Sequence, residues 1–392
     1  MRLGLLDKFY TSSYVAPLWL QRYFTRTNNT FFSRRYLQGL GGRFVDANWR
    51  FELKEIYLRR RYGKIQTTQD AVYDRDIQFD QYVAGLLNGR PSEAYWGFQG
   101  SAHDSLLAAK RSNKLAIVEL ATAHVKAAQR ILGEEAKLHP DWADSIDNLV
   151  FPPHYQQRLE DEPHHADIVM AASKFTVSTL LEDGVPQSKI RLLPLGFELE
   201  HIPYTPKDQL PNAQISKRPL RLLYAGNLTQ RKGLRYALDA MRTFPKGEVE
   251  LHIIGGLQGS GKGLKEYEGE YQHHGRLSQY EMFRAYQDYD ALILPTVFEG
   301  FGLVIVEAMA AGLPVITTAH SMGPDVITHQ QSGYIVPIRD SQAVAHAIAH
   351  LRQLSDQDYW AMSAAARQSV LNFTWQVYAA NLQKLVEGRF SA

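Results

Sequence analysis

Residues 295–312 read PTVFEGFGLVIVEAMAAG, and the order of residue types within them decides the fold. The apolar run Ala291 to Leu294, just before, is short and continuous enough for a strand buried on both faces. Gly300 and Gly302 permit a tight turn, and Leu303 to Ala311 has helical composition closed by Gly312, with Pro314 beyond. Strand, glycine turn and helix together make an anion site, because the first amides of the helix lack internal partners and sit at the positive end of its dipole. Two carboxylates, Glu299 and Glu307, frame the turn with seven residues between them. Glu307, four residues after Leu303, projects from the same helical side, where it can accept hydrogen bonds from sugar hydroxyls.

Working back from this stretch, the chain repeats the same unit. LRLLYAG (residues 220–226) reads as a buried strand, followed by the loop NLTQRKG and the helix LRYALDAM. Arg231 and Lys232 therefore stand just after a strand end, where two cations can balance a diphosphate. After the strand VELHIIGG, the loop GLQGSGKGL nearly spells a P-loop, but Gly263 stands where Ser or Thr would ligate magnesium, and a flexible turn explains its glycines. Ser278 and Glu281 form a capping box for the helix SQYEMFRAYQDY. The D-x-D pairs Asp288/Asp290 and Asp74/Asp76 read as solvated carboxylates in helical or strand-start contexts rather than as metal ligands.

Further upstream, AYWGFQG, DSLLAAKRS and KLAIVELATAH alternate strand, helix and strand, which predicts a doubly wound parallel sheet. His124 falls where the strand Leu115 to Leu120 runs out, the side on which such sheets bind ligands, although a lone histidine is most often structural. ADIVMAAS reads as a strand, Ser173 as a helix cap, LLEDGVP as a helix end, and KIRLLPLG as the next strand. Pro203, Pro206, Pro211 and Pro219 then mark an extended linker.

Composition bounds the function. A chain of 392 residues with 45% hydrophobic residues can bury two cores. A net charge of only +2 argues against a nucleic-acid partner, and the lack of cysteine excludes disulfides, thiolate catalysis and cysteine metal sites. No apolar run is long enough to span a bilayer; the best, Leu303 to Thr318, is broken by Glu307, Gly312 and Pro314. Residues 1–65 interleave Arg34, Arg35, Arg59, Arg60 and Arg61 with Trp19, Phe31, Phe32 and Trp49. This suits an anionic membrane or a phosphorylated acceptor, and equally a solvated helical face.

The spacing of Glu299 and Glu307 resembles the E-x7-E motif of the retaining glycosyltransferases of family 4, which have the GT-B fold, with two Rossmann-like doubly wound domains facing a cleft. The likeness runs from about Glu93 to Gly388 and is strongest from Leu220 to Pro337. It implies that Glu299 approaches the donor sugar, that the amides of Gly300, Phe301, Gly302 and Leu303 meet the diphosphate, and that Glu307 binds the nucleotide ribose. It also places His124 beside the donor sugar, and Gly226, Arg231 and Lys232 at the phosphates. The family's Gly-Arg arginine is Asn227 here, with Arg231 as a possible substitute, and its familiar acid in the stretch MGPDVI is Asp325 rather than Glu.

The domains implied are residues 1–200 on the acceptor side, a linker at 201–218, residues 219–374 on the nucleotide-sugar side, and a terminal helix in 375–392 that crosses back. The activity implied is metal-independent transfer, with retention, from a nucleotide-diphosphate sugar to a glycan, lipid-linked or other hydroxyl acceptor in cell-envelope or polysaccharide biosynthesis. The expected setting is the cytoplasm, or the inner face of the membrane. The alternative is a non-catalytic sugar-nucleotide-binding subunit supporting a partner transferase. A family member also opens with a central strand, glycine loop and helix, whereas RLGLLDKFYTSS looks like the end of that helix running into the next strand. The sequence thus predicts a reading frame extending upstream by roughly twenty to thirty residues.

Overall fold

The computed structural model describes residues 6–15, 35, 40–62, 65–146, 150–210 and 214–387. Gly4, Trp19, Phe31, Phe32, Arg34 and Pro211, which entered the sequence reading, lie outside these, as does the side chain of Arg59. Residues 1–119 with 151–169 pack as one unit, and residues 120–150 with 170–392 as another.

In chain order the first half comprises β1 (Phe9–Thr11), β2 (Val45–Ala47), α1 (Trp49–Tyr62), α2 (Ile65–Leu87), β3 (Ala94–Phe98), α3 (His103–Arg111), β4 (Leu115–Leu120), α4 (Val125–Leu138), α5 (Pro153–His165), β5 (Ile168–Ala171), α6 (Lys174–Glu182) and β6 (Ile190–Leu192). β1 and β2 pair in parallel, and β3 to β6 form a four-stranded sheet in sequential order. Ser173 caps α6 as expected, its Oγ accepting the amide of Thr176 at 3.1 Å. Of three 3₁₀ turns here, Leu199–His201 ends at the first residue of the stretch read as an extended linker, and Lys207–Gln209 and Ile215–Lys217 lie within it. Proline at the entry to a turn presets φ for it, which the extended reading overlooked: Pro206 is the N-cap of the second.

The second half comprises β7 (Leu220–Ala225), α7 (Leu234–Met241), β8 (Val249–Ile254), β9 (Gln272–His273), α8 (Gln279–Ala285), β10 (Ala291–Leu294), α9 (Leu303–Ala310), β11 (Val315–Thr318), α10 (Gly323–Val326), β12 (Gly333–Val336), α11 (Ser341–Gln353), α12 (Asp356–Val370) and α13 (Trp375–Glu387). Its sheet is parallel throughout, in the order β12-β11-β10-β7-β8-β9. Every residue of β10 and β11 is buried, as strands covered on both faces must be. The capping box of Ser278 and Glu281 is present at α8.

Two sequence readings are corrected here. Asp290 is not solvated: it is buried and holds Arg218 through two bonds of 2.7 Å while accepting the amide of Arg221 at 2.8 Å. The partner that brings it inside lies 72 residues away, beyond the reach of a local reading. The GLQGSGKGL loop is likewise packed rather than free, because a Cβ at Gly263 would lie 2.4 Å from the Trp142 ring. Among the described residues no helix is long and apolar enough to cross a membrane.

Candidate donor site

The order of the second sheet reverses at β7, which has β8 on one side and β10 on the other. Ligands of open parallel sheets bind outside the carboxyl ends of the strands at such a switch point. The two loops leaving it, 226–233 after β7 and 295–302 after β10, are held together by their backbones. The carbonyl of Arg231 accepts the amides of Val297 (3.0 Å) and Phe298 (3.2 Å) and the hydroxyl of Thr296 (3.1 Å). Gly233, at φ +71°, brings the loops so close that a Cβ there would stand 1.9 Å from the carbonyl oxygen of Pro295. Gly226 is overlaid by Lys232, whose Cε would be 3.1 Å from an added Cβ. Arg231 and Lys232 do not begin the helix itself: they belong to a 3₁₀ turn, Gln230–Lys232, capped by Thr229 and separated from α7 by Gly233.

This backbone contact sets Glu299 between the two cations. Its Oε2 accepts from Arg231 Nη1 at 3.0 Å and from Lys232 Nζ at 2.9 Å, and Arg231 Nη1 also donates to the carbonyl of Phe298 at 3.1 Å. Burial alone would push the Glu299 carboxyl up, but the Lys232 and Arg231 charges outweigh it and hold the group below the usual carboxylate range. Glu299 is thus an anion, and the three side chains together carry one net positive charge. The amide of Glu299 donates to the carbonyl of His320 (2.9 Å), whose Nδ1–H donates to the carbonyl of Val297 (2.8 Å). The His320 ring stacks on Phe175 at 4.5 Å between centroids. Burial lowers the pKa of this imidazole, which suits a neutral, position-holding role.

The glycine turn follows. A Cβ on Gly300 would stand 2.3 Å from the Cα of Thr122, so only glycine fits there. The carbonyl of Gly300 accepts the hydroxyls of Ser173 (2.5 Å) and Thr176 (3.3 Å). Phe301 is buried, and its carbonyl takes the amide of Met322 at 3.0 Å. Gly302, at φ +85°, is the N-cap of α9 and accepts the amide of Ile305 at 2.9 Å. Among the described residues the amides of Gly300, Phe301, Gly302, Leu303 and Val304 have no hydrogen-bond partner. Glu307 lies one turn into α9 and accepts the Tyr286 hydroxyl at 2.9 Å; burial raises its pKa against that bond.

The structure therefore brings Gly226, Arg231, Lys232, Glu299 and the Gly300–Leu303 turn together at the switch point. His124 lies two residues beyond Thr122, against whose Cα Gly300 packs. His124 is fully buried as the N-cap residue of α4, its amide donates to Thr179 Oγ1 at 3.0 Å, and its Nε2 lies 3.5 Å from Asp183 Oδ2. Asp325 accepts the amide of Lys174 (3.2 Å to Oδ2), and burial pushes its pKa to about 6 despite that bond. Sequence reading did not find Thr176, His320 or Tyr286. Ser173 it found only as a cap, and that same cap geometry presents its Oγ to Gly300.

With this geometry established, residues 219–353 match the family described as glycosyl transferases group 1. Sucrose-phosphate synthase from Thermosynechococcus elongatus and Anabaena Alr3699/HepE, two solved structures that the chain resembles, have the GT-B fold expected from the sequence. Among curated relatives, the amylovoran biosynthesis glycosyltransferase AmsK of Erwinia amylovora is 31% identical over 218 residues, 52% of each chain. A provisionally assigned colanic acid biosynthesis glycosyltransferase, WcaL of Escherichia coli (strain K12), is 27% identical over 251 residues, 60% of this chain and 59% of the relative. The chain thus spans between half and three-fifths of the length of these relatives. Among solved structures, Anabaena Alr3699/HepE in complex with UDP superimposes with a TM-score of 0.61 at 15% identity, covering 97% of this chain and all of that one.

Proposed function

We propose that this chain is a retaining, metal-independent glycosyltransferase that uses a nucleotide-diphosphate sugar. The observation that carries the reading is the convergence of Arg231 and Lys232 on Glu299 beside the unpartnered amides of Gly300–Val304, at the sheet's switch point. A diphosphate at the turn meets cations already ordered by Glu299 and amides already aimed, the preorganised electrostatics that stabilise charge developing on a leaving group. Glu299 then faces the donor sugar and Glu307 the ribose hydroxyls, while the protein's own cations take the part that a metal plays elsewhere. The departing phosphate helps to deprotonate the acceptor on the front face of the sugar.

The names of the AmsK and WcaL relatives support an acceptor in polysaccharide or cell-envelope biosynthesis, and the HepE complex supports a nucleotide as part of the donor. On the acceptor side, α1 exposes Leu53 and Tyr57 near Arg60 and Arg61, which supports peripheral contact with an anionic membrane. The deciding experiment incubates the purified chain with a panel of nucleotide-diphosphate sugars in EDTA and follows nucleoside diphosphate release. Slow hydrolysis of one donor, with the anomeric configuration retained in the product, is the expected result. Binding without hydrolysis of any donor would make the chain a sugar-nucleotide-binding subunit instead.

A further inference from the structure

The first unit carries a separate cluster of chemistry-bearing side chains. His103 opens α3, while Asp161 and His165 stand four residues apart on α5, a spacing that presents both on one side of the helix. Each of the three offers a ligand atom, and these atoms all lie within 4.8 Å of one another. The two imidazole rings meet edge to face, with centroids 5.2 Å apart. Backbone and side-chain bonds fix the arrangement: Glu162, between the two α5 members in sequence, accepts the amide of His103 at 3.0 Å, and Gln157 donates to Asp161 Oδ1 at 2.9 Å.

Packing for its own sake does not account for this cluster. His103 Nδ1 is buried without a hydrogen-bond partner, and its nearest carboxylate oxygen, on Asp104, is 3.8 Å away. A buried polar atom left unpaired costs about 1–3 kcal/mol, and native structures rarely retain one without a use for it. Lys110 donates to the carbonyl of His165 (3.2 Å) and pairs with Asp167 (3.4 Å).

We propose that His103, Asp161 and His165 form a binding site for a divalent transition-metal ion of the zinc class, fastening the start of α3 to α5. Two imidazoles and one carboxylate suit zinc and its first-row neighbours better than magnesium or calcium, which take oxygen ligands. Ligands about 2 Å from a tetrahedral ion stand about 3.4 Å apart, so rotation of the side chains by roughly an ångström closes the set. The fourth position falls to water, because His103 and His165 are only partly buried. The ion acts on this unit and takes no part in the transfer proposed above.

The test is calorimetric titration of Zn²⁺ into the chelator-treated full chain at pH 7.5, with Co²⁺ as the optical probe. Expected are binding by the wild type with visible bands of tetrahedral cobalt, at least about tenfold weaker binding in His103→Gln and in His165→Asn, and no change in the exposed neighbour His164→Ala. Glutamine and asparagine keep the sites polar, and circular dichroism verifies that each variant is folded. A Zn²⁺-dependent rise in Tm should accompany binding in the wild type and fall away in Asp161→Asn. Zn²⁺ affinity in both histidine variants equal to that of the wild type, or no binding by the wild type, would overturn the site.

Discussion

The molecule treats two helix N-termini in opposite ways. At α3 the early amides are consumed by the protein itself. Glu162 Oε1 accepts the amides of Ala102 and His103, both at 3.0 Å, its Oε2 accepts Gly100 at 2.7 Å, and Asp80 accepts Asp104 (2.7 Å) and Ser105 (3.0 Å). Arg158 in turn pairs with Asp80. At α9 the nearby carboxylate, Glu299, is drawn away by Arg231 and Lys232, and the turn's amides keep their donors. The same backbone dipole thus serves as a structural joint in one unit and, under the proposed function, as an anion receptor in the other. The cations decide which: Arg158 supports the acids that cap α3, whereas Arg231 and Lys232 occupy the acid that could have capped α9.

The largest effect should come from opening the closed end. Glu162→Ala leaves the amides of Gly100, Ala102 and His103 buried and unpaired, and should cost about 3–6 kcal/mol in urea unfolding. If α3 is a joint and not a receptor, the folded fraction should still bind nucleoside diphosphate within about twofold of the wild type. A loss of binding in step with stability would erase the distinction between the two ends. Next comes Arg231→Ala with Lys232→Ala, which removes two charged donors and should weaken nucleoside diphosphate binding on the order of a hundredfold or more. Binding of the free nucleoside should change only a few-fold, and equal losses for both ligands in calorimetry would take the cations out of the phosphate site.

Glu299→Gln and Glu307→Gln should each fold and should each lower transfer roughly tenfold to a hundredfold, the worth of a charged hydrogen bond of about 1.5–3 kcal/mol. Wild-type kinetics in both would take these two carboxylates out of the donor site. The smallest effect is a pH slope at the closed end. Burial raises the Glu162 pKa to about 7 against its amide bonds, so between the ordinary carboxylate range and pH 7 the native state holds a proton that the unfolded chain has lost. Stability should therefore fall as pH rises through that window. Glu162→Gln should flatten the slope, whatever its offset, and unchanged slopes by urea titration would argue that the carboxyl is ionised throughout.

The open end was legible in the sequence because everything that makes it is local. Strand, Gly300, Gly302, helix and Gly312 fall within about twenty residues, and each obeys a short-range rule of φ or periodicity. The capping box at Ser278 is equally local. The closed end was not legible: Asp80 and Glu162 reach α3 from 24 and 60 residues away, and nothing beside either acid announces the helix it caps. Distance also hid the burial of Asp290 by Arg218. At the site, the sequence supplied the residue types at positions 231, 232 and 299 but not their mutual pairing, which depends on the backbone contact of Gly233 with Pro295.

The hold of Ser173 and Thr176 on the carbonyl of Gly300 reaches one atom further than the bond itself. The peptide joining Gly300 to Phe301 is trans, so its C=O and N–H point in opposite directions and turn as a single rigid plate. Two hydroxyls from α6 that pin the oxygen on one side thereby aim the Phe301 amide out of the other, without touching it. Glycine at 300 makes that plate unusually easy to rotate, and the paired hydroxyls remove the freedom that glycine confers. The direction of a donor in the turn is thus set by residues more than a hundred positions earlier in the chain.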